Sequence, residues 1–254
     1  MSTGGHIWYE LMTSDADAAL EFYGSVVGWQ PQPHAGGIPG YTMLSTGEAE
    51  IGGVMQLEPQ MGLAGSVWVG YVHVADVDAT ARAVEQAGGA VCVPCTDIPG
   101  GYGRFAMVRD PQGALVYIMR PGSEGGSAAF APRVGHCQWN ELVTTDPEAA
   151  TAFYMRIFGW QKGDVMPMGP LGNYQFLLNG SERFGAVMKR SREGAPSLWR
   201  YYFGVDDIDR AVRAICDGGG RLMGDPQPVP GGGFAVVATD PQGAEFGVAG
   251  QRRA

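Results

Sequence analysis

His6, Trp8 and Glu10 alternate with Ile7, Tyr9 and Leu11 near the start of the chain. A period of two marks a strand with two unlike faces, and it predicts β structure from His6 to Met12. Asp15 then stands where a helix N-cap belongs, Phe22 and Val26 lie four apart on one helical face, and Gly28 suits the residue that ends the helix. The same grammar returns with a strand at Val67 to Val74 and a helix from Asp78 to Ala87, closed by Gly88-Gly89. Further strands are predicted at Tyr41 to Ser45, Gly52 to Leu57, Arg104 to Val108 and Ala114 to Met119. Asp110-Pro111-Gln112-Gly113 puts Pro and Gly where a type I turn wants them and joins the last two as a hairpin. Each such module reads βαβββ.

The pattern is repeated. Trp8 to Gln30 aligns without a gap on Trp139 to Gln161, and 12 of the 23 positions are identical. The offset persists through Trp68 and Trp199, Asp76 and Asp207, and Gly88-Gly89 and Gly219-Gly220. Asp110-Pro111-Gln112-Gly113 recurs as Asp240-Pro241-Gln242-Gly243, so the six tryptophans form three repeat pairs. A repeat of this kind decides the architecture before any local reading does. It predicts a tandem duplication with four modules: a domain over 1–122, a linker over 123–133 and a domain over 134–254. The Gly/Ser-rich run from Gly122 to Pro132 has the composition of a flexible link.

Composition narrows the function. The 254 residues are 45% hydrophobic, with 6 Trp, 10 Tyr and 10 Phe, ample for packed cores. Gly (41) and Pro (17) well exceed their usual combined share of about 12%, which favours short strands and many turns. The net charge is −9 with no basic patch, which argues against a nucleic-acid partner. No apolar run approaches the roughly 20 residues of a spanning helix, and Met1 to His6 lacks the basic and apolar regions of a signal peptide. No membrane association and a cytoplasmic location are therefore expected. Cys92-Val93-Pro94-Cys95 has the spacing of a redox pair, but it falls on a strand rather than at a helix start. These cysteines are read as small buried hydrophobes.

Paired βαβββ modules, each with a capped helix after its first strand and an Asp-Pro-x-Gly hairpin near the end of each half, resemble the vicinal oxygen chelate superfamily of glyoxalase I, bleomycin-resistance proteins and extradiol dioxygenases. The resemblance runs from Trp8 to Pro121 and from Trp139 to Gly250, and is greatest to the tandem two-domain glyoxalase-like branch. It implies an α+β fold of two tandem domains, each of two modules forming a cupped mixed sheet with helices on the convex side. It also implies, in the metal-dependent members, His or Glu ligands on the first and last strands of the modules. The corresponding positions here are Trp8, Val69 and Tyr117 in the first half and Trp139, Arg200 and Gly247 in the second. The remaining ligand of each half aligns near Gly53 to Gln56 and Gly185 to Met188, where Gln56 is the only plausible donor. Metals of this class need imidazole nitrogen or carboxylate oxygen. Neither half is therefore expected to hold a metal, and no cofactor is expected.

What stands in place of the ligands is aromatic. Trp8, Tyr71 and Tyr117 are projected onto one cup, and Trp139, Arg200 and Tyr202 onto the other. Such surfaces stack flat ligands, with Arg200 available to a carboxylate or phenolate; the alternative is that these rings fill the cups as core. His73 shares a face with Tyr71 and joins the candidates. Glu10 and Glu141 recur at one place in both halves, either as ligand contacts or, the favoured reading, as a repeated structural hydrogen bond. His34 and His136 have no evident partners in the sequence. The Gly-rich segments Ile98 to Arg104 and Val229 to Phe234 precede strands, so they lack the helix N-terminus of a phosphate cradle and are read as lips of the cups. Two functions follow. The first is a metal-independent protein that binds an aromatic or polycyclic metabolite or drug, and the second a glyoxalase-like lyase, isomerase, cyclase or hydroxylase, with or without metal. The expected partner is a small molecule, and the two domains are expected to pair as an intrachain pseudo-dimer.

Overall fold

A computed structural model of the chain describes residues 3–33, 38–123 and 125–253. His34 lies outside them. The first module comprises β1 (His6–Thr13), α1 (Ala16–Val27), β2 (Gln30–Pro33), β3 (Tyr41–Ser45) and β4 (Glu50–Gln56), and the second β5 (Val67–His73), α2 (Val77–Gln86), β6 (Ala90–Ile98), β7 (Gly103–Arg109) and β8 (Leu115–Pro121). The third runs β9 (Cys137–Thr144), α3 (Pro147–Phe158), β10 (Gln161–Pro167), β11 (Asn173–Asn179) and β12 (Glu182–Lys189). The fourth has β13 (Leu198–Val205), α4 (Ile208–Asp217), the short β14 (Arg221–Leu222) and β15 (Gln227–Val229), then β16 (Gly233–Thr239) and β17 (Glu245–Gly250). Strands β1 to β8 belong to one mixed sheet and β9 to β17 to another, so the α+β class and the tandem βαβββ plan are as the repeat predicts. In every module the first strand pairs parallel with the last, while the hairpin strands pair antiparallel.

Each helix starts in the same way. Asp15, Asp76, Asp146 and Asp207 are extended N-cap residues whose carboxylates accept from Ala18, Ala79, Ala149 and Asp209 N–H, each cap worth about 1 kcal/mol. α2 begins at Val77 with Asp76 as its cap, slightly earlier than the predicted start at Asp78, because the cap is the aspartate before the apolar residue. β2 escapes the apolar pattern altogether: Gln30-Pro31-Gln32-Pro33 is wholly exposed, and such a proline-bearing segment is tolerated only at a sheet edge. β1 is less two-sided than its alternation suggests, since Trp8 alone of its residues is more than marginally exposed. Cys92 and Cys95 are also not the buried hydrophobes expected. Cys92 is exposed and Cys95 half-buried, at irregularities in the β6–β7 register, and partial desolvation raises both thiols above their ordinary value.

The chain has two compact units. One holds residues 1–7, 70–126 and 140–200, the other residues 8–69, 127–139 and 201–254. Each unit therefore takes one module from each half, the second with the third and the first with the fourth. In the first unit α2 packs on α3, and in the second α1 packs on α4. Aromatic residues fill both cores. In the second unit Trp29 and Trp68 lie 4.7 and 4.9 Å from Phe203, and Tyr23 lies 5.1 Å from Phe246. In the first unit Trp160 lies 4.6 Å from Phe184 and 5.8 Å from Trp199. Tilted and edge-on ring pairs of this kind add about 0.5–1.5 kcal/mol each beyond the area they bury.

Candidate functional site

In the second unit β1 carries Trp8 and Glu10 beside β4, with Glu10 directly opposite Gly53. The indole N–H of Trp8 donates to the Tyr41 hydroxyl at 2.7 Å, and that hydroxyl is hydrogen-bonded to the Glu10 carboxylate. Burial first, and then the neighbouring Glu10 charge, hold the Tyr41 phenol well above its ordinary range. Tyr41 keeps its proton and points it at Glu10. The ring fits only because position 53 has no side chain, since a Cβ there would meet the Tyr41 oxygen at 2.1 Å. Tyr202 uses the same device: it pairs with Gly247 across β13 and β17, and a Cβ at 247 would lie 2.3 Å from Tyr202 Cδ1. Trp139 is half-buried, with its carbonyl accepting from the Cys137 thiol at 3.3 Å.

In the first unit Tyr71 and Tyr117 are register partners on β5 and β8. Their rings stack at 4.1 Å with planes 17° apart, and Phe105 presents its edge to Tyr117 at 5.7 Å. Both tyrosines are buried. His73 ends the same strand, exchanging backbone hydrogen bonds with Gly4 and Gly5. It helps line an open cleft of about 360 Å³ with Thr3, Asp76, Thr80, Ile157 and Phe158. β9 brings Glu141 between two partners: the Tyr174 hydroxyl donates to Oε2 at 2.7 Å and Arg200 Nη1 to Oε1 at 2.5 Å. The ion pair is largely enclosed, the side chains being 12% and 6% exposed. Phe176 stands edge-on to Tyr174 at 5.4 Å, and the Arg183 guanidinium lies over the Phe176 ring at 4.4 Å.

The recurrence of Glu10 and Glu141 thus coincides with a repeated Glu–Tyr hydrogen bond, with Trp8 completing it in one unit and Arg200 in the other. Sequence reasoning missed Tyr41 and Tyr174. They are equivalent residues at an offset of 133 rather than 131, so a gapped alignment carried through β3 and β11 is the signal that finds them. Gln56, the one plausible ligand donor at its position, serves the β1–α1 turn: its amide donates to the Ser14 carbonyl at 2.9 Å and its oxygen accepts from Ala16 N–H at 3.0 Å. His136 bonds the Ala128 carbonyl through Nδ1 at 2.5 Å.

The residues present do not fit the family's metal. Trp8, Val69, Tyr117, Trp139, Arg200 and Gly247 offer no suitable donor. The two nearby carboxylates are held by phenols and, at Glu141, by a guanidinium. Among the described residues no three His, Cys, Asp or Glu side chains gather in a metal-binding group.

Comparison with known proteins matches this architecture. CFP32 of Mycobacterium tuberculosis, a candidate glyoxylase, is 34% identical over 247 residues, covering 95% of this chain and 92% of its own. The anthracycline biosynthesis protein DnrV of Streptomyces peucetius is 30% identical over 269 residues, covering 96% and 92%. The Mn(II)-bound glyoxalase of Novosphingobium aromaticivorans superposes with a TM-score of 0.68 at 16% identity, covering 100% of this chain and 84% of that one. The profile of the Glyoxalase/Bleomycin resistance protein/Dioxygenase superfamily matches residues 5–118 and 133–248. Two tandem copies of that profile span nearly the whole sequence, and the chain belongs to this superfamily.

Proposed function

We propose that this protein binds a flat aromatic or polycyclic small molecule through its aromatic side chains, without a coordinated metal. The observation that carries the reading is the state of Glu141, whose two carboxylate oxygens are taken by Tyr174 and Arg200 where a metal ligand would need them free. The ligand class is supported by half-buried Phe105, which stands against the buried Tyr71–Tyr117 stack, since an accessible ring favours planar conjugated partners. It is also supported by DnrV, whose name ties it to anthracyclines, which are polycyclic aromatics. Trp8 and Trp139 are half-buried indoles suited to the same contacts. In this reading the halves at 1–122 and 134–254, joined by 123–133, are paired domains of one chain, and the protein acts in the cytoplasm. No helix among the described residues is long and apolar enough to cross a membrane.

A glyoxalase-like enzyme acting on a small metabolite is the second reading, and the 34% identity to a candidate glyoxylase favours it. Two titrations separate the readings. Calorimetry with Mn²⁺, Ni²⁺ and Zn²⁺ is expected to give no stoichiometric binding, while planar polycyclic compounds quench tryptophan fluorescence at micromolar concentration. Metal held tightly at one ion per half, or a flat quenching curve across the panel, sinks the binding reading. Turnover of a quenching compound transfers the case to the enzyme.

A further inference from the structure

Resting on the aromatic-binding reading above, we propose that one row of side chains in the first half, His73, Met119 and Phe105, holds the planar ligand, and that each chain therefore takes one ligand rather than two. Across β5, β8 and β7, His73 lies opposite Met119 and Met119 opposite Phe105. Residues opposite one another in a sheet point to the same face. Two residues away along each strand, Tyr71, Tyr117 and Met107 form a second row on that face. This inner row is sealed, with exposures of 6, 5 and 3%, and the two tyrosine rings cover each other at 4.1 Å. The stack closes the place where Tyr117 aligns with a metal ligand of the family, which moves the contact surface outward by one row. All three residues of the outer row are half-buried.

Each side chain of the outer row suits a flat ligand. Phe105 is braced edge-on against Tyr117 at 5.7 Å, so its ring stacks a conjugated partner without first having to be ordered. Met119 beside it adds a flexible thioether, which packs favourably against aromatic rings. His73 ends the row with imidazole nitrogens able to hydrogen-bond an oxygen, and it also borders the open cleft of about 360 Å³ with Thr3, Asp76 and Phe158. Together these select a planar conjugated molecule with an oxygen substituent at one edge, a phenol or a quinone. The second half lacks the row. Its equivalents by the repeat are Gly204, Ala249 and Ala235, which keep the same register on β13, β17 and β16 but offer neither ring, sulfur nor imidazole. The place of the His73 side chain is filled there as well, since a Cβ at Gly204 would lie 2.1 Å from Gln138 Nε2 and 2.4 Å from the Arg133 carbonyl oxygen.

Calorimetry of the full chain with quinizarin, a planar dihydroxyanthraquinone, is expected to give one molecule bound per chain, with the affinity falling about tenfold in Phe105→Ala through loss of the stacked ring. Naphthol and naphthalene differ by a hydroxyl. His73→Ala is expected to weaken naphthol and leave naphthalene unchanged, a split that a merely structural histidine does not produce. Two quinizarin molecules per chain, or an affinity unchanged in Phe105→Ala, overturns the assignment and leaves the aromatic-binding reading standing. A parent chain that binds none of the three compounds overturns that reading and the assignment with it. A second measurement needs no truncation in the row. With isotope-labelled methionine methyl groups in the full chain, the Met119 signal is identified by its absence from Met119→Leu, a swap that conserves volume. Ring currents are expected to shift that signal when quinizarin is added, and a Met119 signal that stays in place while quinizarin binds overturns the proposal.

Discussion

The hydroxyl of Tyr23 donates to the carboxylate of Asp240, 217 residues further along the chain, at 3.0 Å in a buried setting. Trp68 Nε1 donates to the same hydroxyl at 2.8 Å. Asp240 also accepts from Gln242 and Ala244 N–H and so shapes its own hairpin turn. The repeat reproduces the relay as Trp199, Tyr154 and Asp110, at 2.9 and 3.1 Å. Burial raises both aspartates above the ordinary carboxylate range despite these bonds. One residue type therefore opens a β-turn and ties the two halves together.

Tyr23→Phe and Tyr154→Phe test that role. Each removes one hydroxyl and leaves a buried indole N–H and a carboxylate oxygen without that partner, a loss of about 1–3 kcal/mol for each group so stranded. The midpoint of urea unfolding should fall by a similar amount in both variants with the slope unchanged, and the two effects should add because the relays share no residue. A loss confined to one relay would show that the repeat is not energetically symmetrical.

Gly53 and Gly247 are expected to be intolerant for a reason unrelated to their backbone angles. A Cβ at these positions falls 2.1 Å from the Tyr41 oxygen and 2.3 Å from Tyr202 Cδ1. Gly53→Ala and Gly247→Ala should each cost about 1–3 kcal/mol, the usual range for overpacking. The Gly53→Ala cost should shrink when Tyr41 is also changed to Ala, since the clash partner is gone. Equal costs in both backgrounds, read from thermal melts, would falsify the seat assigned to that ring.

The enclosed Glu141–Arg200 pair makes a third prediction. Arg200→Met leaves the Glu141 charge without its guanidinium, and removing one partner of a buried pair costs about 3–5 kcal/mol. The first half carries Val69 where the second has Arg200, so the double change Glu141→Leu with Arg200→Val removes both charges and imitates an apolar version of the site. Denaturation should place the double variant above the single one. If the single substitution is silent, the pair is more hydrated than its 12% and 6% exposure implies.

Much of this fold is legible in the sequence. Alternation located β1, aspartates located the helix starts, and Asp-Pro-Gln-Gly located the hairpins, because each of these signals acts over a few residues. The site was less legible. Trp8 and Arg200 could be assigned to strands, but their partners Tyr41 and Glu141 lie 33 and 59 residues away, and strand periodicity carries no information about such pairings. The grouping of modules was also hidden. A duplicated sequence presents the same apolar faces whether the first module packs with the second or the fourth, and only the Tyr23–Asp240 type of contact distinguishes them.

His6 supplies the last prediction, through pH. It is buried among Trp160, Phe184 and Trp199, with ring centroids 5.7, 5.4 and 6.0 Å away, and burial lowers its pKa from 6.5 to about 3. The folded chain therefore keeps the imidazole neutral while the unfolded chain protonates it below pH 6.5. Between these values the unfolded state binds more protons, so the contribution of neutral His6 is fully present above pH 6.5 and is lost as the pH falls toward 3, at about 1.4 kcal/mol per unit. Asp110 and Asp240, with raised values, contribute in the opposite sense, so the effect must be read as a difference. His6→Phe keeps an aromatic ring among the same neighbours and cannot take a proton. Its stability relative to the parent, from unfolding curves at pH 7, 6, 5 and 4, should rise progressively below pH 6.5. A difference that stays constant over this range would show that His6 takes up its proton in the folded state as readily as in the unfolded chain.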